Sequence, residues 1–158
     1  MKHFYIVILT LLFFFLTSCG FKVLDTSQLK YYKVVEIKET GDKKTNFFLK
    51  NRLYNLLNNN ASTDKLIIKV ETEKVKTVKE KNKQNRITKY NIRINSLIEF
   101  HFVNKNYKKT INTNKNGVYN VSLNHNNTKD NEKNIENNLI DALSKDITNQ
   151  ILKIINEF

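Results

Sequence analysis

Few side chains in this sequence could carry out chemistry, and they form no familiar catalytic or metal-binding pattern. The single cysteine, Cys19, excludes an internal disulfide framework and any site built from several thiolates. The three histidines, His3, His101 and His125, are far apart and lack the spacing of metal ligands. Three scattered glycines exclude the glycine-rich loops that bind phosphate in nucleotide-binding enzymes. We therefore expect neither an enzyme nor a protein that holds a metal or another cofactor.

Cys19 follows a segment with the pattern of an export signal. A short polar start leads into an apolar run from Phe4 to Leu16, and the small residues Thr17 and Ser18 stand directly before the thiol. The run has 13 residues, and a helix needs about 20 apolar residues to span the bilayer core. The segment therefore fits the hydrophobic region of a secretory signal peptide rather than a membrane span.

This arrangement resembles the lipobox of bacterial lipoproteins, in which the cysteine receives a lipid and becomes the first residue of the mature chain. The resemblance implies a signal peptide at residues 1–18 and lipidation of Cys19, with several acyl chains that anchor the protein to a membrane. Gly20 follows, not the Asp that commonly retains lipoproteins in the inner membrane. We therefore expect a lipid-anchored protein of the outer membrane that faces the periplasm. A free, buried cysteine is the alternative interpretation of Cys19.

The chain is strongly basic. Lys and Arg number 27 against 15 Asp and Glu, which gives a formal net charge of +12. Such a balance favours an anionic partner, although the abundance of Lys and Asn is also what an A/T-rich coding sequence would produce. Two observations argue against nucleic acid as a partner: the chain is predicted to be exported, and it lacks aromatic residues interleaved with Arg.

The hydrophobic pattern predicts one small domain at residues 33–158, preceded by a lipidated tether at residues 19–32. Alternating apolar residues predict strands, and apolar residues at helical spacing predict helices. The predicted order is strand 33–39, helix 44–58, strand 64–79, strand 89–102, strand 107–123 and helix 130–156. We expect an α+β two-layer sandwich, in which two helices pack on one face of a four-stranded, mainly antiparallel sheet. The alternation also predicts a bulge or a strong twist near Lys74 and an interruption at Gly117.

Three short motifs carry a second resemblance. Residues 19–21 read Cys-Gly-Phe before a polar stretch at 25–29, residues 51–53 read Asn-Arg-Leu, and residues 128–132 read Thr-Lys-Asp-Asn-Glu. With the element order, they resemble LptE, the family of lipopolysaccharide-assembly lipoproteins. The resemblance implies a protein that sits inside the outer-membrane β-barrel LptD. There it would plug the barrel, assist its assembly and take part in lipopolysaccharide transport.

The same resemblance suggests binding residues. Lys129 matches a family lysine linked to lipopolysaccharide binding, and Lys83 and Arg86 lie closest to the second basic position of the family. Lipopolysaccharide presents clustered phosphates and sugar acids, which lysine and arginine attract. Each of the three residues could instead be an ordinary solvated surface residue. The alternative function is a generic outer-membrane lipoprotein that serves as a binding or assembly module for another envelope complex.

Overall fold

The fold is a mixed sheet covered by two helices, and the computed structural model describes residues 32–155 of it. The strands lie in the order β1-β2-β3-β4, with β1 parallel to β2 and the other neighbours antiparallel. The predicted α+β architecture and element order are therefore confirmed. The predicted signal peptide, Cys19 and nearly all of the tether lie outside the described residues. The elements are β1 (Lys33–Gly41), α1 (Lys43–Leu57), β2 (Lys65–Lys81), β3 (Ile87–Phe102), a 3-10 turn (Val103–Lys105), β4 (Tyr107–Asn120) and α2 (His125–Ile155).

The core lies between the sheet and the helices. Side chains alternate between the two faces of a strand, and the apolar set of β2, β3 and β4 points toward the helices. The apolar stripe of α2 packs onto this face, as its spacing predicts. Leu143, Ile147 and Ile151 of that stripe are fully buried. The largest fully buried side chains include Leu49, Leu53, Leu57, Leu66, Ile68, Ile92, Ile94, Ile98, Phe100 and Phe102.

The connection from β1 to α1 depends on Gly41. Its φ of 98° is in the left-handed region, and a Cβ at this position would overlap the carbonyl oxygen of Thr72. Only glycine avoids both problems. The next residue, Asp42, caps α1 by accepting hydrogen bonds from the backbone N–H of Thr45 at 2.9 Å and from its hydroxyl at 2.7 Å. The chain therefore reverses direction directly after β1, and α1 runs back alongside that strand.

The predicted bulge near Lys74 and the predicted interruption at Gly117 are both wrong. The irregular register between β2 and β3 lies at Val78 to Lys81, near the end of the hairpin, and the pairing at Lys74 is regular. β4 also runs through Gly117 without interruption. A Cβ on Gly117 would lie 3.0 Å from Ile135 and 3.3 Å from Leu139, so this glycine lets α2 approach the strand closely.

α2 starts five residues before the predicted position. It begins at His125 rather than Asp130, so the residue 128–132 motif occupies its first two turns and does not open the helix. The side chain of Asn124 accepts a hydrogen bond from the backbone N–H of Asn126 at 2.8 Å. The prediction followed apolar spacing, and the first apolar residue of the helix is Ile135. A polar helical start of this kind leaves no periodic signal.

α2 is also tied to β4 by Asp146. The carboxylate accepts hydrogen bonds from the ammonium of Lys115 at 2.8 Å and from the hydroxyl of Thr113 at 2.7 Å. These two bonds, with a weaker one from Gln150, lower the pKa of Asp146 to about 2. The folded state therefore binds the proton less readily than the unfolded chain, and the bonds stabilise the fold above the ordinary carboxyl pKa.

We expect Asp146→Asn to lower the free energy of unfolding by about 1 kcal/mol at pH 7. This figure is discounted for the one-third exposure of the Asp146 and Lys115 side chains. The difference between variant and parent should shrink as the pH falls from about 4 to about 2, where the parent loses the contribution. Urea denaturation across this range measures it, with the exposed, unpaired Asp130→Asn as the control. A difference that does not vary with pH would rule out the assigned role.

Candidate anion-binding site

The sheet has two chemically different ends. At the first, which we call the N-terminal pole, Tyr32 leads into β1 and pairs with Asn58 at the end of α1. At the second, which we call the cationic pole, the turn at residues 82–86 joins β2 to β3, and α2 begins after β4. The 17 residues of β2 run between them, which at 3.3 Å per residue separates the poles by about 50 Å.

A rigid turn presents the first group of cations. The side-chain oxygen of Asn82 accepts hydrogen bonds from the backbone N–H of Gln84 at 3.0 Å and of Arg86 at 2.9 Å. The backbone N–H of Asn82 also donates to the carbonyl of Arg86 at 2.9 Å, and Asn85 has a positive φ of 62°. Asparagine tolerates that conformation. The exposed side chains of Lys83 and Arg86 therefore project from a backbone with a defined shape.

The start of α2 presents the second group. The backbone N–H of Val121, just after β4, donates to the carbonyl of Thr88 at 2.9 Å. The amide of Asn131 then donates to the carbonyl of Asn120 at 3.1 Å. These bonds hold the first turns of α2 beside the end of the β2–β3 hairpin. Lys129 and Lys133 are exposed on those turns, so all three predicted binding residues, Lys83, Arg86 and Lys129, lie at the same pole.

The cations of this pole are largely uncompensated. Six of them form no ion pair with another residue of the described range. Unpaired cations that converge on one end of a molecule raise the local potential and attract anions. The N-terminal end of α2 also lies at this pole, which adds the positive end of its helix dipole. The six side chains are Lys79, Lys81, Lys83, Arg86, Lys129 and Lys133.

Sequence reasoning missed Lys79, Lys81 and Lys133. A signal for two of them is present, because Lys79 and Lys81 alternate with Lys83 along the hairpin. Lys133 follows Lys129 by four residues, a spacing that places two side chains on one flank of a helix. Neither pattern shows which lysines lack a carboxylate partner, since that depends on the packing of α2 against the sheet.

Neighbouring lysines are neutralised by two glutamates of α2. Glu132 accepts hydrogen bonds from Lys76 at 2.7 Å and from the hydroxyl of Tyr119 at 2.8 Å. Glu136, which is buried, pairs with Lys44 and Lys74, both at 2.8 Å. These contacts fasten the polar half of α2 to the sheet, and they exclude the three lysines from the unpaired set.

The pKa of each glutamate reflects these partners. Burial alone would raise the pKa of Glu136, but the hydrogen bonds and charges of Lys44 and Lys74 outweigh it and hold the pKa below its usual value. The pKa of Glu132 is lowered in the same way, because Lys76 and Tyr119 offset its desolvation. Both carboxyl groups are therefore ionised at neutral pH, and ion pairs hold this part of α2 against the sheet.

Two further properties concern the described residues as a set. Between residues 32 and 155, no cluster of three or more His, Cys, Asp or Glu side chains could hold a metal ion. Neither helix in that range combines the length and the apolar character that crossing a membrane requires.

Comparison with known proteins identifies the fold. No protein-family model matches the sequence, and no curated protein matches it. Rare lipoprotein B from Shewanella oneidensis matches in structure with a TM-score of 0.58 and 7% sequence identity, over 75% of this chain and 95% of that one. A candidate lipoprotein from Caulobacter crescentus matches with a TM-score of 0.55 and 11% identity, over 83% and 95%. At such low identity the likeness establishes the fold, and this chain shares it with both proteins.

Proposed function

We propose that this chain is an outer-membrane lipoprotein, anchored through Cys19, whose cationic pole binds lipopolysaccharide on its way to the cell surface. The observation that carries the proposal is the convergence of six unpaired cations from two separate elements on one pole. The phosphates and sugar acids of lipopolysaccharide are the anions that such a set of lysines and arginine attracts. The lipobox-like residues before Cys19 support export and anchoring, as do two lipoproteins of the same fold.

The length of the sheet suits a domain that sits inside a membrane-spanning barrel. The chain that leads from the lipidated Cys19 would enter the domain at Tyr32, which lies at the N-terminal pole. The sheet is about 50 Å long, whereas the hydrocarbon core of a bilayer is about 30 Å thick. A domain anchored at the periplasmic side through the N-terminal pole is therefore long enough to extend through the interior of a membrane-spanning barrel.

The proposed partner is an LptD-like β-barrel, as the resemblance to LptE implies. The sheet face opposite the helices is mostly polar in its central part, with Leu97 and Val75 as apolar exceptions, and this suits the polar interior of a large outer-membrane barrel. In this role the chain would plug the barrel, assist its assembly and contact lipopolysaccharide during transport. The central side chains of this open face include Glu71, Glu73, Arg93, Asn95, Asn112 and Asn114.

A pull-down of the processed lipoprotein from detergent-solubilised outer membranes tests the partner. We expect a large β-barrel protein and lipopolysaccharide to copurify with it. Recovery of other envelope proteins without a barrel would contradict the barrel role and favour the generic lipoprotein. Recovery of the barrel without lipopolysaccharide would contradict the role of the cationic pole.

A further inference from the structure

A groove between the two helices lies near the middle of α2, beyond the turns that carry Lys129 and Lys133. The helices run in the same direction, and the ammonium of Lys44 on α1 contacts the carboxylate of Glu136 on α2 at 2.8 Å. One turn further along both helices, a cavity of about 220 Å³ opens, lined by Phe48, Asn137, Ile140 and Asp141. Phe48 is 47% exposed, a large fraction for an aromatic ring. The groove therefore offers the exposed Phe48 ring as an apolar wall, with Ile140 at its base and the polar Asn137 and Asp141 beside it.

Charge and apolar surface follow one another along the same flank of α2. Asn137 lies one turn after Lys133, which itself lies one turn after Lys129. At a rise of 1.5 Å per residue, Lys133 is about 10 Å along the helix axis from Ile140. Both lysines are exposed and unpaired among the described residues. An amphiphile with an anionic head and an apolar chain would match this arrangement.

We propose that the groove binds an acyl chain of an anionic lipid whose phosphate lies against Lys129 and Lys133. The proposal rests on the proposed function and deepens it, because it adds a chain-binding site to the headgroup site. The volume is below the 300–1,000 Å³ of typical small-molecule pockets, so the groove holds part of one chain rather than a headgroup. Asp141 also lines the cavity, two turns beyond Lys133, and its negative charge favours an orientation with the anionic head toward Lys133.

The experiment measures binding of dodecyl phosphate and butyl phosphate to the complete chain by calorimetry, below the micelle concentration. Each methylene that leaves water raises affinity up to about fourfold. The parent should therefore bind the long-chain phosphate at least about tenfold more tightly than the short one. Phe48→Ser should remove most of that difference. Tyr54→Ser, which removes a similarly exposed aromatic on another flank of α1, should leave it unchanged.

Two outcomes of the calorimetry would contradict the groove proposal. They are equal affinity of the parent for the two phosphates, and an equal loss in the Phe48→Ser and Tyr54→Ser variants. Lipopolysaccharide binding separates this failure from failure of the proposed function. If the parent binds lipopolysaccharide and Phe48→Ser binds it equally well, the groove is wrong and the function stands. If the parent binds dodecyl phosphate through Phe48 but does not bind lipopolysaccharide, the groove stands and the function is wrong.

Discussion

The Cys19→Ala variant should accumulate as an uncleaved precursor that carries no lipid. The thiol is the only side chain of the segment that can accept the lipid, and cleavage before residue 19 is expected to follow lipid attachment. Because the precursor keeps the apolar run Phe4–Leu16, it should stay with the inner membrane, and loss of lipidation should remove the protein almost completely from the outer-membrane fraction. Mass spectrometry of the protein and detergent fractionation of the envelope measure both effects.

Ser18→Ala is the matched control for this change. It keeps a small residue directly before the thiol, so processing and anchoring should match those of the parent. If Cys19→Ala is processed and fractionates like Ser18→Ala, the sequence at residues 1–19 is not a lipoprotein signal, and the proposed anchor is wrong.

Reversing the three predicted binding charges together, by changing Lys83, Arg86 and Lys129 to Glu, should weaken lipopolysaccharide binding about 100-fold at low salt. Each exposed contact contributes roughly 1 kcal/mol, and three of them together give a change of this size. None of the three side chains is buried or paired among the described residues, so the domain should still fold. The affinity that remains should also depend less on salt.

The control reverses three exposed lysines at the N-terminal pole, namely Lys33, Lys65 and Lys109. It changes the net charge by the same amount but leaves the cationic pole intact. We expect it to lower the affinity for lipopolysaccharide no more than about tenfold, through the weaker long-range field. If both triple variants bind equally poorly, overall charge rather than the cationic pole would explain the binding.

The sheet and the long helix were predictable because their patterns are strong. β3 alternates between apolar and polar residues almost without fault, and the stripe of α2 repeats every three or four residues. β1 was harder, since a register shift between Val34 and Glu36 leaves Val35 45% exposed and turns Val34 inward. Such a shift depends on pairing with β2, which a single strand does not reveal.

The candidate site was predictable only in part. Resemblance selected Lys83, Arg86 and Lys129, but no spacing rule places residues this far apart in sequence at one pole. That proximity comes from the length of the β2–β3 hairpin and from the return of β4 to the start of α2. The distinction between paired and unpaired lysines was also hidden. Lys74 and Lys76 look like the other lysines in the sequence, yet Glu136 and Glu132 neutralise them.

The most direct test measures the affinity of the purified chain for lipopolysaccharide before and after enzymatic removal of the phosphates from that lipid. If phosphate recognition by the cationic pole is the basis of binding, dephosphorylation should reduce the affinity at least about tenfold at low salt. The affinity for the intact lipid should fall as salt is added. Equal affinity for the two lipids, or no binding to either, would contradict the account.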